Sequence, residues 1–457
     1  MAIAVDKSGR VWFTESNVSK LGQFDPTNCT FREYPVPGVG DMWGLIVDQK
    51  DAVWFTQYSG KGSVNPGGAV TGGGEGRLVR FNPADGNFTF VNIPTVGSFP
   101  LRLVADAENR IWFTELLGNR IGVYDPLADQ LTEYVVPTNS SGPADLTIDK
   151  SGVIWFTETY SRKITKFYPQ NRSFVEYPVN AEDSARLISS PVGIAVAQDG
   201  RIWFTDHGGN WIARLDPLSG DLAKYPTHIP PTDVYPISIP NGLLIDNEGR
   251  VWFVEHGGNS VGYYERDSHT LVEFRIPTGP ISTALWIALA PNGNVWFTEW
   301  TANKIGFVHA DLPIPVSLSV PENDLMLQAG EQRSISFALA SSQAIGGNGT
   351  LTYSWSSYTP EDIAVGFTPA YPQLEANVPI QAQLALSNRL YPGNYTLRIG
   401  IDLGDVIVSS MIETTVSSAQ PAPLTVFSDR LALGVAIVGL IGVVTAIVVR
   451  RRARRTL

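Results

Sequence analysis

Residues 201–210 read RIWFTDHGGN, and residues 250–259 read RVWFVEHGGN. Their shared centre is Trp-Phe, followed by Thr or Val and then by Asp, Glu or Gln. This centre occurs seven times in the 457-residue chain, with its tryptophans at Trp12, Trp54, Trp112, Trp155, Trp203, Trp252 and Trp296. Repetition with a period of about 40–50 residues is typical of folds that repeat one supersecondary unit.

Each copy reads as four short strands. An apolar run such as GLLID (242–246) leads through a Gly-ending turn into the Trp-Phe strand, and segments such as NKIGFVHA (303–310) and LTEYVVP (131–137) supply the third and fourth strands. Ile or Leu stands nine residues before every repeat tryptophan, at Ile3, Leu45, Leu103, Leu146, Ile194, Leu243 and Ile287. Four antiparallel strands per unit is the pattern of a propeller blade. The sequence therefore predicts an all-β fold with a seven-bladed β-propeller over residues 1–311.

The seventh unit passes from FVHADLP (307–313) into a different kind of sequence, so it lacks a fourth strand. We expect this strand upstream of Met1, because a propeller can close with strands from both chain ends. The signal peptide that an exported chain needs is not seen after Met1 either, and we expect it in the same upstream stretch. The alternative is that residues 313–320, PIPVSLSV, supply the strand.

The remainder of the chain divides into four parts. Short alternating strands over residues 312–418 predict an Ig-like β-sandwich, and residues 419–430 form a Pro-containing linker. Residues 431–449 carry no charge and are long enough for a transmembrane helix. The tail, 450–457, carries five arginines, which favours a cytoplasmic location for this end. The sequence thus predicts a single-pass protein of the cell membrane with residues 1–430 outside.

Charge and cysteine content exclude several classes of function. Without the five arginines of the tail, the net charge falls from −11 to −16, so the chain would repel nucleic acid. A single cysteine, Cys29, excludes an internal disulfide and a cysteine-cluster metal site. We therefore expect an extracellular ligand or surface partner. Glycosylation would suit an exported protein, and seven sequons are present, at Asn17, Asn28, Asn87, Asn139, Asn171, Asn348 and Asn394.

Six carboxylates and one amide close the seven motifs, at Glu15, Gln57, Glu115, Glu158, Asp206, Glu255 and Glu299. On one propeller face they would form a ring that attracts a cation, with Asp206, Glu255 and Glu299 as the candidate ligands of Mg²⁺ or Ca²⁺. The alternative is structural. Four of the motifs have Asn four residues later, so a repeated carboxylate–Asn hydrogen bond would hold each turn.

Residues that deviate from the repeat are the better candidates for function. His207 and His256 follow Asp206 and Glu255 in matching HGGN contexts, and as neutral imidazoles they would serve as a base and an acid or hold a metal. The alternative is that both are rim residues without a role. Further deviating residues predicted to bind a ligand are Trp43, Arg102, Asp145, Asn241, Trp286 and Trp300. The alternatives are that Arg102 and Asp145 pair with each other and that Trp43 and Trp286 pack in the core.

The motifs WFTE, NKIG and EYPVP together resemble those of the streptogramin B lyase (virginiamycin B lyase) family of seven-bladed propellers. The resemblance covers residues 1–311 and implies an enzyme that opens a cyclic depsipeptide by elimination across an ester C–O bond. It implies magnesium, acidic ligands and histidines two residues before the Ile/Leu marker. Those positions hold no histidine here; they are Met1, Trp43, Leu101, Ala144, Val192, Asn241 and Leu285.

Two functions are therefore open. The first is a membrane-anchored, cell-surface propeller that binds a ligand or partner on its face. The second is a metal-dependent carbon–oxygen lyase or lactonase that acts on a cyclic ester through His207 and His256.

Overall fold

The structure is a computed structural model. It describes residues 1–59, 74–179, 189–228, 237–279, 282–309, 311–321, 324–342, 349–356, 363–369, 371–378, 380–388 and 392–418. The predicted linker, transmembrane helix and basic tail lie outside these ranges. Within the described ranges, no helix combines the length and the apolar character needed to cross a bilayer.

The repeat motif folds as the second strand of a four-stranded antiparallel sheet. In the first sheet the strands are β1 (Ile3–Val5), β2 (Val11–Glu15), β3 (Lys20–Asp25) and β4 (Thr30–Pro35), hydrogen-bonded in that order, with a 3₁₀ turn at Ser16–Val18.

The next four sheets have the same order. The second contains β5 (Asp41–Val47), β6 (Val53–Tyr58), β7 (Gly76–Asn82) and β8 (Asn87–Asn92). The third contains β9 (Pro100–Ala105), β10 (Ile111–Glu115), β11 (Arg120–Asp125) and β12 (Gln130–Val135). The fourth contains β13 (Pro143–Ile148), β14 (Ile154–Glu158), β15 (Lys163–Tyr168) and β16 (Ser173–Pro178). The fifth contains β17 (Pro191–Val196), β18 (Ile202–Asp206), β19 (Trp211–Leu215) and β20 (Leu222–Pro226).

The last two repeat sheets differ at their outer edges. The sixth contains β21 (Pro240–Ile245), β22 (Val251–Glu255), β23 (Ser260–Glu265) and β24 (Thr270–Arg275), and continues beyond β24. The seventh, within the described residues, contains β25 (Ala284–Leu289), β26 (Val295–Glu299) and β27 (Lys304–Val308). The alternative that residues 313–320 complete it is wrong, because β28 (Val316–Ser319) pairs with a strand of the following domain.

The first strands of these sheets surround a common axis. β1, β5, β9, β13, β17, β21 and β25 contact one another in that order, and β25 contacts β1, so the circle is closed. The repeat tryptophans are buried between neighbouring sheets. A ring of twisted antiparallel sheets packed face to face is a β-propeller. The predicted all-β propeller fold is therefore confirmed.

Two side chains of the motif explain why it repeats. The Asp that opens the turn before it accepts a hydrogen bond from the tryptophan indole, as Asp106 does from Trp112 Nε1 at 2.9 Å. The motif threonine accepts the amide of its own inner strand and donates to the carbonyl of the next one. Thr205 Oγ1, for example, lies 2.8 Å from Gly193 N and 2.5 Å from Asn241 O. The first bond fixes the tryptophan, and the second ties one sheet to the next.

Residues after the propeller form two further layers around a single core. One sheet contains β28, β30 (Gln332–Ser341), β33 (Ile380–Asn388) and β32 (Ile363–Thr368). The other contains β31 (Thr350–Trp355), β34 (Gly393–Asp402), β35 (Val406–Ser417) and β29 (Asp324–Gln328). Phe337 and Leu339 of the first pack with Ile399 and Ile412 of the second.

The propeller and this domain share a sheet, which the sequence did not predict. β24 pairs antiparallel with β35, and Met1–Ser417 form one compact unit. Across the junction, Arg398 Nη2 lies 3.0 Å from Glu273 Oε2, and both side chains are completely buried. Because a buried charge is costly without its partner, this ion pair specifies how the two halves join.

Candidate functional site

The candidate residues lie on the propeller face where first strands begin and second strands end. Pro191 of β17 pairs with Asp206 of β18, and Pro240 of β21 pairs with Glu255 of β22. A register irregularity follows each of these pairs, between Pro191 and Ile194 and between Pro240 and Leu243. Bulges of this kind redirect side chains at the edge of a sheet.

The structure brings His207 and His256 together. His207 Nε2 and His256 Nδ1 are 3.3 Å apart, and the ring planes meet at 63°. Burial lowers the pKa of each to about 4, and at His207 the neighbouring imidazole of His256 contributes to this shift. Both rings are therefore neutral at pH 7, as the sequence-based hypothesis required.

The backbone fixes both histidines, and the glycine after His256 is required by packing. His207 N donates to Ser190 O and His256 N to Ile239 O, at 2.9 and 3.0 Å. A Cβ at Gly257 would lie 2.3 Å from the carbonyl oxygen of Ile237. Any side chain at Gly257 would therefore force the backbone of this turn to shift.

Two of the motif carboxylates, Asp206 and Glu255, accept hydrogen bonds from neighbouring groups. Ser189 Oγ and the amides of Ser190 and Gly208 donate to Asp206, and Ser260 Oγ donates to Glu255. Burial raises the pKa of Asp206 and of Glu255. Among the described residues, no group of three or more His, Cys, Asp or Glu side chains is placed to hold a metal. The predicted ligands Asp206, Glu255 and Glu299 therefore lack a shared geometry for Mg²⁺ or Ca²⁺.

Two of the asparagines that lie four residues after the motif carboxylate bond to the next loop, whereas the sequence analysis predicted a bond to that carboxylate. Asn119 Oδ1 accepts from Ser141 N at 2.7 Å, and Asn259 Oδ1 accepts from Ser282 N at 2.8 Å. Each bond reaches the loop that enters the next sheet. These asparagines have φ of 54° and 51°, a region that Asn tolerates better than most residues.

Arg102, Asp145 and Trp286 form a contact group near the axis. Arg102 Nε lies 3.2 Å from Asp145 Oδ1, and the guanidinium carbon lies 4.1 Å above the ring of Trp286. Arg102 belongs to the third sheet and Trp286 to the seventh, so this contact crosses the ring. Neither Arg102 Nη1 nor Trp286 Nε1, both buried, has an acceptor among the described residues.

Trp43 and Trp300 form a second aromatic contact. Their ring centroids are 6.2 Å apart, and Trp43 also packs at 5.7 Å against Phe99. Trp300 is 45% exposed, whereas Trp43 is half-buried and its Nε1 has no acceptor in the described part of the chain. The remaining predicted residue, Asn241, is buried and uses its backbone carbonyl to accept from Thr205.

Sequence reasoning missed a buried polar group beneath this face. His228 N donates to Glu273 Oε1 at 2.8 Å, and Glu273 also contacts Arg398. The negative charge of Glu273 adds to burial in raising the pKa of Glu255. A glutamate in the fourth strand of a repeat was a visible signal, but its arginine partner lies 125 residues away.

The sequence model of the virginiamycin B lyase family matches residues 68–345. The chain belongs to this family. A streptogramin B lyase structure is 26% identical, covers 68% of this chain and 93% of its own, and superposes with a TM-score of 0.56. Virginiamycin B lyase from Staphylococcus aureus is 24% identical over 67% of this chain and 93% of its own, with a TM-score of 0.55.

A catalytically inactive variant of the S. aureus enzyme, crystallised with quinupristin, is 22% identical. It covers 87% of this chain and 97% of its own length, with a TM-score of 0.51. No curated protein sequence matches the chain. The family resemblance expected from WFTE, NKIG and EYPVP is confirmed.

Proposed function

We propose that this protein is a seven-bladed propeller that binds a ligand on the face carrying Trp43, Trp300, Arg102 and Trp286. The closed cycle of inner strands supports the blade number. The two sheets around one core support an Ig-like assignment of the second domain. The apolar segment 431–449 supports anchoring in the cell membrane with this face outside.

The observation that carries the proposal is the exposed indole of Trp300 lying against Trp43. A large aromatic ring on a propeller face offers apolar contact area at little conformational cost, and tryptophan is enriched where binding energy concentrates. Arg102 and Trp286 of the inner strands supply buried N–H groups that have no acceptor among the described residues. A ligand that combines a planar or apolar part with carbonyl oxygens would complement both features once Arg102 or Trp300 rotates.

Quinupristin, which the inactive S. aureus enzyme holds in its crystal structure, is the first probe. Calorimetric titration should show binding, and Trp300→Ala should weaken it at least tenfold, about 1.4 kcal/mol. Tyr371→Ala is the matched control, because Tyr371 is an aromatic residue of the second domain with 63% exposure. Equal affinity of the Trp300→Ala variant and the wild type would refute the proposal.

The alternative, a metal-dependent carbon–oxygen lyase or lactonase, is favoured by family membership and by the paired neutral histidines. The same incubation tests it by mass spectrometry and chromatography. Elimination across the ester would yield a linear product of unchanged mass, and hydrolysis would add one water. Unchanged quinupristin after incubation with Mg²⁺ would leave binding as the function.

A further inference from the structure

His207 and His256 converge from two neighbouring sheets, and no other side chain of the described residues bonds either ring. Their facing nitrogens are 3.3 Å apart, which is long for a hydrogen bond to an N–H group, where about 2.9–3.0 Å is usual. Zinc–nitrogen bonds of about 2.0–2.1 Å at a tetrahedral angle place two ligand nitrogens roughly 3.3–3.4 Å apart. The observed separation therefore matches that of two imidazoles on one ion.

We propose that His207 Nε2 and His256 Nδ1 bind a divalent transition-metal ion of the Zn²⁺ class between the fifth and sixth sheets. The proposal does not depend on the ligand face described above, because it concerns the ion alone.

Ligand chemistry selects this class of ion. Imidazole nitrogen suits Zn²⁺, Cu²⁺ and Ni²⁺, whereas Mg²⁺ and Ca²⁺ require several oxygen ligands. The nearby carboxylate of Asp206 accepts hydrogen bonds from Ser189 Oγ and Gly208 N, and that of Glu255 accepts one from Ser260 Oγ. Because the pair contributes two bonds, water or a small anion would complete a four-coordinate ion and would exchange readily.

The two histidines are preorganised for metal binding by the backbone around them. Hydrogen bonds from both backbone amides hold the two turns, and Gly257 fits only because it has no Cβ facing Ile237 O. Little reorganisation is then required for binding.

The chain offers a clean test because it contains five histidines. The full-length protein, treated with chelator and desalted, is titrated with ZnCl₂ by calorimetry and with Co²⁺ by absorption spectroscopy. We expect one ion per chain. His207→Ala and His256→Ala should each weaken binding at least tenfold, and the matched control His269→Ala should bind as the wild type does.

A second measurement uses the unaltered protein and does not depend on how the variants fold. Carbethoxylation of histidines, mapped by mass spectrometry, should be slowed by Zn²⁺ at His207 and His256 and not at His269 or His309. The proposal is overturned if the wild type binds no Zn²⁺ at millimolar concentration. It is overturned equally if both alanine variants bind as tightly as the wild type, or if Zn²⁺ leaves the labelling of His207 and His256 unchanged.

Discussion

Glu115, the last residue of β10, is completely buried, and neither carboxylate oxygen accepts a hydrogen bond from the described residues. Burial raises its pKa from 4.5 to about 9; the negative charge of Glu133 acts in the same direction, and Arg120 opposes it weakly. The residue is therefore neutral in the folded protein at pH 7. We expect Glu115→Gln, which keeps the shape and removes the titration, to stabilise the protein.

The size of the effect follows from the difference between folded and unfolded states. Below pH 4.5 both states hold the proton, and the full stability of the folded state is present. As the pH rises towards 9, the unfolded chain releases the proton and the folded chain does not, so that stability is lost at about 1.4 kcal/mol per pH unit. At pH 7 the loss amounts to about 3 kcal/mol, and Glu115→Gln should recover most of it.

Urea unfolding of the wild type and Glu115→Gln between pH 4.5 and pH 8 measures this difference. The two proteins should be almost equally stable at pH 4.5, and the variant should gain steadily above it. Glu108→Gln is the matched control, because Glu108 lies in the turn between β9 and β10, with its side chain 67% exposed. A Glu115→Gln variant that is less stable at pH 7, or whose gain does not depend on pH, would refute the reasoning.

Two further substitutions test the architecture. Arg398→Leu leaves Glu273 charged and buried, and should lower the free energy of unfolding by about 3–5 kcal/mol in denaturant titrations. Adding Glu273→Leu should restore much of this loss. If the two substitutions instead lower stability additively, the ion-pair account is contradicted. Thr205→Val removes the bonds to Gly193 N and Asn241 O and should cost about 1–3 kcal/mol in the same assay. No change in the unfolding midpoint would show that this link between sheets is dispensable.

The histidine pair and the motif carboxylates show what repeat position determines and what it leaves open. Equal positions in consecutive repeats placed His207 and His256 side by side, and the structure brings their rings within contact. The same logic put Glu255 into a cation ring, although its carboxylate is bonded by Ser260. The position in the repeat determines where the backbone of a residue lies, but a nearby hydroxyl such as that of Ser260 determines the orientation of the carboxylate.

Contacts across the propeller axis could not be predicted from the sequence. Arg102 and Trp286 have three sheets between them along the chain and meet only because the ring closes. The pairing of β24 with β35 could not be predicted from the sequence either, because any exposed strand edge of suitable length offers the same hydrogen bonds.

The sequence by itself determined the repeated unit, its register and its family, because these follow from local periodicity and from residues that recur at constant spacing. Tertiary structure alone decided which unpaired edge the second domain extends, which charge Arg398 neutralises and which nitrogens face one another between the fifth and sixth sheets. Those choices depend on distances between groups remote in the chain, and no local pattern encodes such distances.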